Sequence, residues 1–126
     1  MDLFTILRKI LYDNPEQTIN SVGKVVKIIG RKNIVETHLD SLEGLSFIRQ
    51  KGSISQIGLT SKENLMARDL INFFSDAEST DISYNHYDEE SWFNISLKNG
   101  KKLSLVKSGF TKELEGFESK RIIIHF

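Results

Sequence analysis

Apolar positions follow two spacings along the chain: mostly helical up to residue 77, and alternating after it. Leu3, Ile6, Leu7, Ile10 and Leu11 recur as one face of a helix, so residues 3–13 read as an amphipathic helix. Asn14-Pro15-Glu16-Gln17 opens a second one. Asn14 is a capping residue, Pro15 suits the first helical position and Gln17 stands where a capping-box partner belongs. Ile19, Val22, Val26 and Ile29 continue its apolar face, Val25 and Ile28 widen it, and Gly30 is the expected stop. A third helix is expected from Ile34, Val35, His38, Leu39 and Leu42, ending at Gly44, with His38 at the core or its boundary. Leu45 to Leu59 reads as a hairpin around Gln50-Lys51-Gly52-Ser53. Thr60-Ser61-Lys62-Glu63 has the form of a capping box. It is expected to open a central packing helix with Leu65, Met66, Leu70, Phe73, Phe74 and Ala77 on its apolar face.

Alternation then takes over at Ile82-Tyr84-His86, at Phe93-Ile95-Leu97 and at Leu103-Leu105. Arg121 to Phe126, RIIIHF, has apolar side chains for both faces, the mark of a strand inside a sheet. Around Asn99-Gly100, parity selects the turn. A two-residue loop would put Leu103 and Leu105 on the face opposite to Phe93 and Ile95. A three-residue loop of Lys98, Asn99 and Gly100 pairs Ile95 with Leu103 and Phe93 with Leu105, keeping the apolar set together, with Gly100 left-handed in a bulge. The expected fold is α+β, one globular domain over residues 1–126, with N-terminal helices and one central helix packed on a mainly antiparallel sheet.

Composition narrows the chemistry. Among 126 residues there is no Cys, which excludes disulfides and Cys-ligated metal centres. No apolar run reaches the roughly 18 residues of a membrane span. The first residues, MDLFTILRKILYDN, reverse the charge order of a secretory signal, so a cytoplasmic chain is expected. Lys plus Arg number 17 and Asp plus Glu 17, a balance that disfavours a general nucleic-acid or polybasic membrane binder. No P-loop, dinucleotide fingerprint, zincin motif, EF-hand loop or nucleophile elbow is present, so no cofactor is expected.

The neutral total hides segregated patches. Residues 76–90 hold six carboxylates and no Lys or Arg, a charge of −6, while residues 98–107 hold four lysines and no acid. Aromatic residues are interleaved with the acids, which is the composition of a surface that steers and anchors a basic protein. The candidate partner-binding residues are Asp81, Tyr84, His86, Tyr87, Asp88, Glu89, Glu90 and Trp92. The same composition also describes a solvated loop beside a strand, with Tyr84 and Trp92 in the core. His86, Asp88 and Glu89 offer metal-ligand atoms but no ligand spacing, so no metal is assigned.

Three functions follow. The first is a non-catalytic protein-binding module, of the immunity or inhibitor type in a bacterial setting, that neutralises a basic, nuclease-like toxin through the acidic aromatic surface at 76–93. The second is a small metal-independent nuclease or nucleotide-acting enzyme using His86 and His125 as acid and base, with Lys107 beside them. The third is a nucleic-acid-associated regulatory domain using the hairpin from Lys98 to Lys107. Wide apolar faces in the first half also admit a homodimer.

Overall fold

The computed structural model describes residues 1–126. It contains three helices and one eight-stranded antiparallel sheet, 54% strand against 20% helix, so the sheet organises the molecule. Helix α1 (Leu3–Tyr12) starts at Asp2, whose carboxylate accepts from the Thr5 N–H at 2.8 Å. That bond lowers the Asp2 pKa. Helix α2 (Pro15–Val22) starts at Asn14, whose side chain accepts from the Gln17 N–H at 3.1 Å. Strands β1 (Gly23–Ile29), β2 (Lys32–Thr37), β3 (Leu42–Gln50) and β4 (Ser53–Met66) follow. Helix α3 (Ala67–Phe73) then separates them from β5 (Ala77–Asn85), β6 (Glu90–Leu97), β7 (Lys102–Ser108) and β8 (Glu118–His125).

Three expected helices change. The second helix stops at Val22, because a Cβ on Gly23 would lie 2.3 Å from the Glu36 carbonyl oxygen: the chain leaves the helix to run against β2. Residues 24–29, KVVKII, are rich in β-branched side chains that lose rotamer freedom in a helix and fit a strand. The third expected helix is divided between β2, which takes Ile34 and Val35 for the same reason, and the start of β3, which takes Leu42 and Gly44; His38 is an exposed residue between them instead of a core histidine. At the expected capping box the Ser61 hydroxyl does accept from the Glu63 N–H at 3.2 Å, but no helix grows from it. The segment bulges out of β4 between Thr60 and Leu65, and α3 begins only at Ala67.

The expected hairpins hold. Lys51 and Gly52 both have positive φ (55° and 82°) in the two-residue connection between Gln50 and Ser53. Gly100 is left-handed at 87°, Ile95 faces Leu103 and Phe93 faces Leu105, as the three-residue loop requires.

The sheet order is β1-β2-β3-β4-β8-β7-β6-β5. β8 is therefore internal, and β1 and β5 are the free edges. One apolar row crosses six strands, Leu45-Leu59-Ile122-Leu105-Phe93-Ile82. It packs with Leu3, Ile6, Leu7, Ile10, Leu11, Ile19 and Val22 of α1 and α2 in a single core of 26 buried residues. All three helices contribute to this face, and no helix covers the other. The next row, on the open face, is small or polar except at Ile34 and Ile123: Ile34-Ser46-Gly58-Ile123-Ser104-Asn94-Asp81. No helix is long and apolar enough to cross a membrane.

Candidate partner-binding surface

The acidic stretch forms the free edge β5 and the hairpin that turns back into β6. Asn85 builds the tip of that hairpin. Its Oδ1 accepts from the Tyr87 and Asp88 N–H groups at 3.1 and 3.2 Å, and its Nδ2 donates to Asp88 Oδ2 at 2.9 Å. Glu89 is left-handed at φ 54°, a conformation that costs a residue with a Cβ roughly 1–2 kcal/mol. Its carbonyl accepts from the Gly109 N–H at 2.8 Å, which holds the turn to the loop after β7. Tyr87 stands 96% exposed between the tip carboxylates and His86.

Strand alternation divides the eight candidate residues between two faces. Asp81, Glu90 and Trp92 lie on the open face, where Asp81 pairs with Asn94 and Trp92 with Val106. Tyr84 lies on the helix-bearing face, in phase with Ile82. His86, Tyr87, Asp88 and Glu89 occupy the exposed tip. Tyr84 and His86 meet again through Phe110, a residue the sequence pattern did not single out. Its ring centroid lies 5.9 Å edge-on from Tyr84 and 5.3 Å from His86, and it is 53% exposed. Buried Ser91 presents it: its hydroxyl donates to the Gly109 carbonyl at 2.7 Å and accepts from the Thr111 N–H at 2.9 Å. A single apolar residue after a glycine, outside both periodicities, was the only signal available for Phe110.

Five of the six carboxylates in this region have no cationic partner within the chain. Glu90 is paired with Arg121 and Asp76 accepts from the Tyr12 hydroxyl, but Glu78, Asp81, Asp88 and Glu89 form no salt bridge. Asp81 is placed by a polar chain across three strands. Ser104 donates to Asn94 Oδ1 at 2.6 Å, and the Asn94 amide donates to Ser83 at 2.9 Å and lies 3.5 Å from Asp81. Beside this chain, Trp92 and His125 stack with centroids 6.4 Å apart, and Trp92 Nε1 and His125 Nε2 are buried without hydrogen-bond partners. Burial, helped by the Lys102 charge, lowers the His125 pKa.

The other candidate groups are dispersed. His125 pairs with Lys102, which faces Ser96, whereas His86 follows the end of β5, where Asn85 faces Glu90. The His86 ring packs beside Tyr84 and Phe110 at the hairpin, whereas the His125 ring lies beside Trp92 on the open face, so the two imidazoles have different neighbours and form no acid–base pair. Lys101 donates to the Leu11 carbonyl at 2.9 Å, Lys102 lies on the open face, and Lys107 lies over the Phe117 ring at 5.5 Å. These lysines share no single face. No three His, Asp or Glu side chains converge as metal ligands. A depression of about 280 Å³ over Gly58 is lined by Ile34, Ile48, Gln56 and Ile123, with Lys32 and Arg121 as its only charges, so it has no acid–base pair. Compared with known proteins, the chain matches no family model, no curated protein and no solved structure.

Proposed function

We propose that this chain is a non-catalytic protein-binding module that holds a basic protein at the β5–β6 hairpin, in the manner of an immunity protein that neutralises a cationic, nuclease-like toxin. The observation that carries this reading is the company of unpaired carboxylates and exposed aromatics at one end of the sheet. Asp88 and Glu89 have no internal cation, and Tyr87 and Phe110 expose 96% and 53% of their surface beside them. Carboxylates steer a cationic partner to the surface, and desolvated aromatic rings anchor it. The left-handed Glu89 supports the reading, because it holds a charged side chain where glycine would be easier. A bacterial cytoplasm is the setting in which such an inhibitor acts.

The test is purification of the tagged chain from its native host, followed by native mass spectrometry. A stoichiometric basic protein is expected with the wild type and is lost with Asp88→Lys plus Glu89→Lys. Phe110→Ala is expected to weaken the same complex by roughly tenfold or more, the loss of an aromatic anchor. Capture unchanged by these substitutions would move the binding site elsewhere on the molecule.

A further inference from the structure

The two free edges of the sheet are complementary to each other. β1 is basic and apolar: it carries Lys24 and Lys27, and Val25, Val26, Ile28 and Ile29 are 46%, 48%, 67% and 57% exposed. β5 is acidic and polar, with Glu78 and Asp81 exposed and free of internal cations. An exposed apolar edge with unpaired backbone groups is a template for another strand. We propose that the chain associates head to tail, with β1 of one copy adding antiparallel to β5 of the next.

One register satisfies charge, face and backbone together. Lys24 and Lys27 are three residues apart, as are Glu78 and Asp81. Antiparallel pairing of Lys24 with Asp81 therefore also pairs Lys27 with Glu78, and sets Val25 opposite Thr80 and Gly23 opposite Ile82. Lys24 is out of phase with the core residue Val35, which faces Val25, so it lies on the open face. Asp81, paired with Asn94, lies on that face too. The helices of both copies then cover the same side of one continuous sheet.

Backbone directions agree with this register. The Val22 carbonyl accepts from the His38 N–H, so across the planar peptide the Gly23 N–H points away from β2, as do the backbone groups of Val25. On the other edge, the Leu97 N–H donates to the Lys101 carbonyl, so Leu97, Ile95 and Phe93 bond to β7 while Asn94 and Ser96 bond to β5. Asp81 is thereby turned toward β6, and Thr80 and Ile82 point outward. The residues opposed in the proposed register, Val25 with Thr80 and Gly23 with Ile82, are the ones whose backbone groups are free. Each strand also bulges near the same place, at Val26 on β1 and at Glu78 on β5.

Like edges repel: two β1 edges would bring four lysines together, and two β5 edges four carboxylates. The interface is heterologous, so each added copy leaves one basic and one acidic edge free unless a ring closes. The tip carboxylates Asp88 and Glu89 lie outside the paired segment, which keeps this proposal independent of the partner site.

The test is sedimentation equilibrium of the purified full chain, with no other protein present. At low salt the wild-type mass is expected to rise with concentration above the 14.4 kDa of one copy, and to rise less at high salt. Lys24→Glu plus Lys27→Glu makes both edges acidic, and Glu78→Lys plus Asp81→Lys makes both basic. Each variant alone is expected to stay at the mass of one copy, and an equimolar mixture to regain association. Asp88→Lys plus Glu89→Lys is expected to associate like the wild type. A wild type of constant single-copy mass at low salt, a charge variant that associates alone, or a mixture that does not regain association would overturn the proposal.

Discussion

Tyr12 ties α1 to the entry of β5. Its hydroxyl donates to Asp76, its ring lies 6.4 Å from Phe74, and the Arg8 guanidinium stands 5.5 Å from its centroid. Burial, and then the bond to Asp76, push the phenol pKa from 10.0 to about 12. The folded state thus favours the neutral phenol. The stability this provides is present in full below pH 10 and is lost as pH rises from about 10 to about 12, where the unfolded chain ionises first. In Tyr12→Phe that alkaline decline is expected to flatten, which urea denaturation at a series of pH values measures. The absorbance step of a tyrosinate near pH 12 is expected to disappear with it. An alkaline decline of equal slope in both proteins would show that Tyr12 is not its source.

At the scale of elements, the end of α1 is held by the β6–β7 turn. The Leu11 carbonyl, one of the unsatisfied acceptors of the last helical turn, receives the Asn99 amide at 3.1 Å and the Lys101 ammonium at 2.9 Å. Burial lowers the Lys101 pKa, and the ammonium also lies 5.1 Å from the Phe126 centroid. Lys101→Met keeps the aliphatic stem and removes the charge at the helix C-terminus. The expected loss is about 1 kcal/mol, read as a lower denaturation midpoint at unchanged slope. This turn was legible in the sequence because strand parity is a local rule: only an odd loop keeps Phe93, Ile95, Leu103 and Leu105 on one face. Residues 24–35 were not, because apolar pairs spaced by single polar residues fit a helical face and an exposed strand alike. What decides there is the approach of Gly23 to Glu36, a contact thirteen positions away in the chain. The acidic aromatic composition of the candidate site was visible too. Its division between two faces, and the arrival of Phe110 from the far side of β7, depend on pairing that no local pattern encodes.

At the scale of the whole molecule, the helices lean on one continuous apolar row. Leu105 is at its centre, fully buried between Phe93 and Ile122. Leu105→Ala is expected to cost about 2–5 kcal/mol, more than any change in the exposed hairpins, and calorimetry would show it as a lower unfolding temperature. A loss below about 1 kcal/mol would mean that the row relaxes around the gap.

The internal position of β8 has a consequence for how the molecule assembles. Strands β1 to β4 are successive neighbours, and so are β5 to β7, so each group forms by short loop closures. β8 reaches β7 across a short connection, since Leu105 and Ile122 are 17 positions apart, but its other side meets β4 at Leu59, 63 positions away. The two groups of strands share sheet hydrogen bonds only through this strand. Folding therefore has a seam. The long-range β4–β8 closure is expected to set its pace, and a chain in which it has not formed would carry two half-sheets with four open edges in place of two.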